Sequence, residues 1–104
     1  MDNILPPTAT RVIEVLRARQ PALRRAGILH LSLFGSVARG DADVDSDIDL
    51  AAVFDPAAQM DLIRMVGLER ELGALLGRPV QILPEPVHKP RLKANLERDR
   101  LPAF

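Results

Sequence analysis

Hydrophobic and polar positions change rhythm several times along the chain. After Pro6-Pro7, Val12, Ile13, Leu16 and Leu23 recur near helical spacing, and either Thr8 or Thr10 can cap the helix they predict. Pro21 interrupts the pattern, which predicts a break near Arg19-Gln20 and a second short helix stopping at Gly27. From Ile28 to Phe34, Leu29, Leu31 and Leu33 alternate with Ile28, His30, Ser32 and Phe34, the pattern of a buried strand with His30 half-buried among apolar neighbours. Gly35 to Arg39 suits one helical turn, and the polar stretch from Gly40 to Ser46 is a loop leading into a second strand, Ile48 to Phe54.

Asp55-Pro56 closes that strand. The next segment, Met60 to Leu76, returns to helical spacing, and Leu62, Met65, Val66, Leu68, Leu72, Leu75 and Leu76 are expected to form one core-facing stripe ended by Gly77 and Pro79. Val80 to Leu83 predicts a third strand, and Pro90 to Arg100 a last amphipathic helix around Leu92 and Leu96, with Arg91, Lys93, Glu97, Arg98, Asp99 and Arg100 as its solvated face. The order helices, strand, strand, helix, strand, helix predicts an α/β (α+β) fold in which helices cover a small mixed β-sheet. Residues 1–104 fit one domain, with 1–7 as a flexible leader.

Composition narrows the functional classes. Acidic and basic residues balance at 14 each, which gives no footprint for bulk nucleic-acid binding. The only aromatic residues are three phenylalanines, so a base-stacking platform is not expected and a bound nucleotide would be held chiefly by its phosphates. Cysteine is absent, and His30 and His88 stand too far apart for a zinc motif. No apolar run approaches the roughly 20 residues that span a bilayer, and MDNILPPTAT lacks the regions of a secretory signal. The expected setting is the cytoplasm.

The candidate chemistry lies between Leu31 and Phe54. Gly35-Ser36 follows the first strand, and after ten intervening residues Asp47-Ile48-Asp49 enters the second. Carboxylates at alternate positions project to one side and can share a divalent cation, while a Gly-Ser turn offers backbone amides and a hydroxyl to phosphate oxygens. Taken singly, each part has a plainer explanation: a glycine after a strand is usually a turn, Ser36 can cap a helix, and the acids can sit at a loop edge. Arg39 suits a surface ion pair with Asp41 or Asp43 as well as it suits a phosphate.

Together, Gly35-Ser36, the ten-residue spacer and Asp47-Ile48-Asp49 resemble the signature of the nucleotidyltransferase superfamily related to DNA polymerase β. LFGSVARGDA, DSDIDL and the closing GRPVQIL resemble its minimal members, small proteins of this length and element order. The resemblance implies that Gly35, Ser36 and Arg39 meet the phosphates of ATP or another triphosphate. It implies that Asp47 and Asp49 bind Mg2+ in the transfer of a nucleoside monophosphate to a hydroxyl. It further implies an antitoxin whose partner is a HEPN-domain ribonuclease toxin, modified by AMP.

One position departs from that pattern. Where minimal nucleotidyltransferases often carry a third carboxylate, this chain has Gln81, which cannot act as a general base. Glu85, between Pro84 and Pro86, is poorly placed to substitute. Two alternatives to protein adenylylation therefore stand: an antitoxin of the same fold that neutralises its partner by binding alone, and a transferase acting on a small molecule.

Overall fold

The computed structural model describes residues 7–104, so the leader expected over 1–7 lies, apart from Pro7, outside the described residues. Thr8 is the N-cap of α1 (Ala9–Ala18), its hydroxyl accepting from the Arg11 amide at 3.2 Å. The break falls at Arg19, and α2 (Gln20–Arg25) begins with Pro21 in its first turn, where a missing N–H costs nothing. Strand β1 (Ile28–Phe34) leads directly into α3 (Gly35–Arg39), which ends on Gly40 in the left-handed region, φ 81. Strand β2 (Ile48–Phe54) is followed by a 3-10 turn at Pro56–Ala58, then α4 (Leu62–Leu76), β3 (Val80–Pro84) and α5 (Pro90–Asp99). Asp61 caps α4 through its carboxylate, which accepts from the Arg64 amide at 2.8 Å and starts the helix two residues later than its apolar pattern suggests.

A fourth strand, β4 (Leu101–Pro102), completes the sheet in the order β3-β2-β1-β4. β1 runs antiparallel to β2 and to β4, while β2 and β3 are parallel and joined through α4. The sheet is therefore mixed, as its element order predicts. On one face Leu31, Leu33, Ile48 and Leu50 are buried against Val12 and Leu16 of α1, Leu23 of α2, and Leu68 and Leu72 of α4. On the other, Phe34 and Ala51 pack against Leu96 of α5, with Leu83 and Leu92 at the margin.

Several side chains do not sit where periodicity puts them. A register irregularity between Ile28 and His30 turns Leu29 outward and leaves His30 exposed rather than half-buried. In α4 only Leu68 and Leu72 are buried; Leu62 is 70% exposed, and Val66 and Leu75 are also left outside, beside Ile63 at 84%. The packed stripe is narrower than expected: Met65, Leu68, Leu72 and Leu76 meet the core, and with 3.6 residues per turn Leu62 and Val66 are rotated away from it. The solvated face expected on α5 also fails at its C-terminal end. Asp99 is buried, and Arg100 donates to Ser32 Oγ at 3.0 Å and to Glu85 Oε2 at 3.1 Å. No helix among the described residues is long and apolar enough to cross a membrane.

Candidate active site

Strand pairing assembles the site from segments far apart in sequence. Phe34 of β1 is the register partner of Asp49 in β2, and Asp49 is the partner of Gln81 in β3, so the three form one row across the sheet. Because side chains alternate along a strand, Asp49 shares the face of Ala51, which α5 covers only in part. The chain leaves this row at Gly35, where φ is +78 and a Cβ would stand 2.4 Å from Asp49 Oδ2. Glycine is required there twice over, by the left-handed backbone and by the carboxylate pressed against it.

A cleft of 490 Å³ opens between this row and α5, lined by Gly35, Ser36 and Arg39 on one side, Asp49 and Gln81 on the floor, and Leu92, Asn95 and Asp99 of α5 opposite. Of the residues picked out by the motif, Gly35, Ser36, Arg39, Asp49 and Gln81 meet here. Asp47 immediately precedes β2 and joins them through Gln81, whose side-chain amide donates to Asp47 Oδ2 at 3.4 Å. The preceding loop is tied to itself: Ser46 Oγ accepts from the Asp43 amide at 2.9 Å, and Asp43 Oδ1 accepts from the Asp45 amide at 2.8 Å. Asp43 is thereby spent on the loop rather than on Arg39.

Charge is unevenly compensated. Burial raises the pKa of the Asp49 carboxyl above the usual carboxylate range, and the neighbouring Asp47 pushes it the same way, with Arg39 opposing. Among the described residues no group of three or more His, Cys, Asp and Glu side chains gathers as a metal cage. The donors present nevertheless fit a hard divalent cation of the magnesium type, which takes one or two protein carboxylates and completes its shell with water and substrate phosphates. Such an ion at Asp47 and Asp49 would relieve the repulsion that the pair carries.

Arg39 makes the ion pair foreseen for it with Asp41 and still lines the cleft. Its Nε donates to Asp41 Oδ2 at 2.9 Å and its Nη1 to Asp99 Oδ2 at 2.8 Å. Glu85 is engaged by Arg100 and does not line the cleft. Asn95 and Asp99 were not among the site residues that the motif points to. A signal for Asp99 exists, since Leu92, Leu96 and Asp99 follow i, i+4, i+7 spacing, which places Asp99 on the packed face of α5.

Topology and cleft together define a small protein of nucleotidyltransferase type. Residues 10–102 match the nucleotidyltransferase domain model, and the chain belongs to that family. It is 34% identical over 90 residues to the protein adenylyltransferase MntA of Thermococcus cleftensis, covering 86% of this chain and 85% of that protein. A solved structure described as a candidate minimal nucleotidyltransferase superposes with a TM-score of 0.66 at 38% identity, covering 86% of this chain and 94% of the other. A chain from the complex of a tri-AMPylated HEPN toxin with its MNT antitoxin, from Shewanella oneidensis, shares the fold with a TM-score of 0.63 at 19% identity over 88% of this chain and 71% of its own.

Proposed function

We propose that the chain is a magnesium-dependent adenylyltransferase of the antitoxin type, moving AMP from ATP to a hydroxyl of a HEPN-domain toxin in the cytoplasm. The observation that carries this reading is the contact between Gly35 and Asp49, which puts the Gly-Ser turn and one carboxylate of the acidic pair on one cleft. Support for the acceptor comes from the relative named as a protein adenylyltransferase and from the AMPylated toxin complex that shares the fold.

In this reading Ser36 and the first-turn amides of α3, which have no partner inside the helix, receive phosphate oxygens. Arg39 adds positive charge at the triphosphate, and Asp47 and Asp49 hold the magnesium ion. That ion supplies neutralisation of charge on the phosphates. The acceptor oxygen attacks the α-phosphorus and forms the new P–O bond as the bond to the bridging oxygen of the β-phosphate breaks. Pyrophosphate leaves, and the hydroxyl proton passes to solvent. Positioning and charge stabilisation carry most of the catalysis in such transfers. Gln81 in place of a carboxylate therefore slows transfer by about 10²- to 10⁴-fold, the usual worth of a general base, and leaves nucleotide binding in place.

The test is incubation of the chain with labelled ATP, Mg2+ and its toxin. Label is expected on the toxin, faster with Gln81→Asp, and none with Asp47→Asn combined with Asp49→Asn. No transfer by either the natural chain or the Gln81→Asp variant would overturn the reading. Gln81 also favours a second reading, in which the chain silences its toxin by binding alone. Under that reading the doubly substituted chain still protects cells from the toxin, whereas a catalytic antitoxin stops protecting.

A further inference from the structure

We infer that Asp99, at the end of α5, is a positioning residue that holds Arg39 ready for the triphosphate. The inference rests on the nucleotide reading given above and extends the site to the C-terminal helix.

Arg39 closes a five-residue helix at the mouth of the cleft, and its side chain is 39% exposed. An arginine in that situation ordinarily samples many rotamers, and ordering it when phosphate arrives subtracts from affinity. Here the guanidinium is fixed beforehand from two sides. Asp41 takes its Nε, but the Asp41 side chain is 64% exposed, so water and salt weaken that bond. Asp99 takes Nη1 at 2.8 Å with a side chain only 2% exposed. It is the buried and therefore the firmer anchor.

Asp99 is itself clamped. Arg98 Nε donates to its Oδ1 at 2.8 Å and Arg98 Nη2 to its Oδ2 at 3.2 Å, a two-point contact that, although the Arg98 side chain is itself 60% exposed, favours the carboxylate orientation that meets Arg39. Among the described residues, Arg39 Nη2 has no protein partner, and Arg39 and Asp99 line the same cleft as Ser36 and Asp49. A planar guanidinium held by Nε and Nη1 presents Nη2 in a fixed direction, which a lysine at this position could not reproduce. The same clamp excludes Asp99 as a substitute for the missing third carboxylate, because a carboxylate already shared by two arginines is a poor proton acceptor.

The experiment measures Kd for the non-hydrolysable analogue AMP-PNP with Mg2+, and for AMP, by calorimetric titration of the full chain. Variants are Asp99→Asn, Arg39→Ala, both together, and Arg39→Lys, each checked for folding by far-ultraviolet circular dichroism. Asp99→Asn is expected to weaken AMP-PNP about tenfold, the scale of lost preorganisation at one charged contact. AMP, lacking the β- and γ-phosphates, is expected to bind within about twofold of the natural chain. In the Arg39→Ala background, Asp99→Asn is expected to have no further effect, since its role is exercised through that arginine. Arg39→Lys leaves the Asp99–Arg98 pair intact and keeps the fold testable if Asp99→Asn unfolds; it is expected to show the same selective loss. Equal weakening of AMP-PNP and AMP, an undiminished effect in the Arg39→Ala background, or triphosphate affinity untouched by Arg39→Lys would overturn the inference while leaving the nucleotide reading intact. Failure of the natural chain to bind AMP-PNP at all would overturn both.

Discussion

At the scale of single residues, the Gly35–Asp49 contact and the carboxyl of Asp49 have opposite consequences for stability and function. Gly35→Ala places a methyl group against Asp49 Oδ2 and forces an L-residue to φ +78, at a cost of about 1–2 kcal/mol for the backbone alone. Its thermal midpoint is expected to fall, and AMP-PNP binding to fall further, because Asp49 must move. Asp49→Asn is expected to do the reverse to stability. Burial and then Asp47 hold the Asp49 carboxyl above its ordinary pKa of 3.8, so the folded chain binds that proton more readily than the unfolded one. The contribution of this group to stability therefore declines as pH rises above 3.8 through the raised value. At pH 7 without metal, Asp49→Asn is expected to melt higher than the natural chain and to lose transfer. Adding Mg2+ should raise the midpoint of the natural chain and not that of the variant; equal responses would remove Asp49 from the metal site.

At the scale of elements, α4 shows where pattern and packing part. Spacing correctly groups Met65, Leu68, Leu72 and Leu76 on the face that packs on the core, yet Leu62 and Val66, counted in the same stripe, are turned away from it. A repeat locates the centre of a helical face; how wide a stripe is covered depends on the layer packed against it. Leu72→Ala is expected to cost about 2–5 kcal/mol in a chemical denaturation series. Ile63→Asp, at 84% exposure and near a helix N-terminus that tolerates negative charge, is expected to stay within about 0.5 kcal/mol. β4 escaped prediction for another reason. It is two residues long and includes a proline, and its pairing with Ser32 and Leu33 depends on where α5 delivers the chain. By contrast, β1, β2, α3 and the Gly35, Ser36 and Asp49 constellation were legible, because alternation, a turn glycine and fixed spacing are local signals. The role of Asp99 was not, since its partner Arg39 lies 60 positions away.

At the scale of the whole molecule, the Asp99 clamp joins the C-terminal helix to the first half of the chain. Hydrogen bonds from Arg98 first, opposed by burial and joined by those from Arg39, leave the carboxyl pKa lowered to about 2. The stabilisation this group contributes is complete above 3.8 and is lost as pH falls from 3.8 toward 2. Asp99→Asn is therefore expected to flatten the acid limb of a plot of denaturation free energy against pH, whereas an unchanged limb would place the acid sensitivity elsewhere. The molecule thus carries two acidic groups displaced in opposite directions, one on the cleft floor and one on the helix that faces it.

The row formed by Phe34, Asp49 and Gln81 is held by main-chain pairing, which is indifferent to what the third side chain is. Position 81 consequently behaves as an exchangeable socket: its occupant is exposed, its backbone is fixed by β2, and its side chain reaches Asp47 across the row. Acid, amide or imidazole can be installed there without rebuilding the scaffold. Under the proposed function, a single codon then acts as a rate control for the chain, adjustable by mutation or by design while the rest of the cleft stays in place.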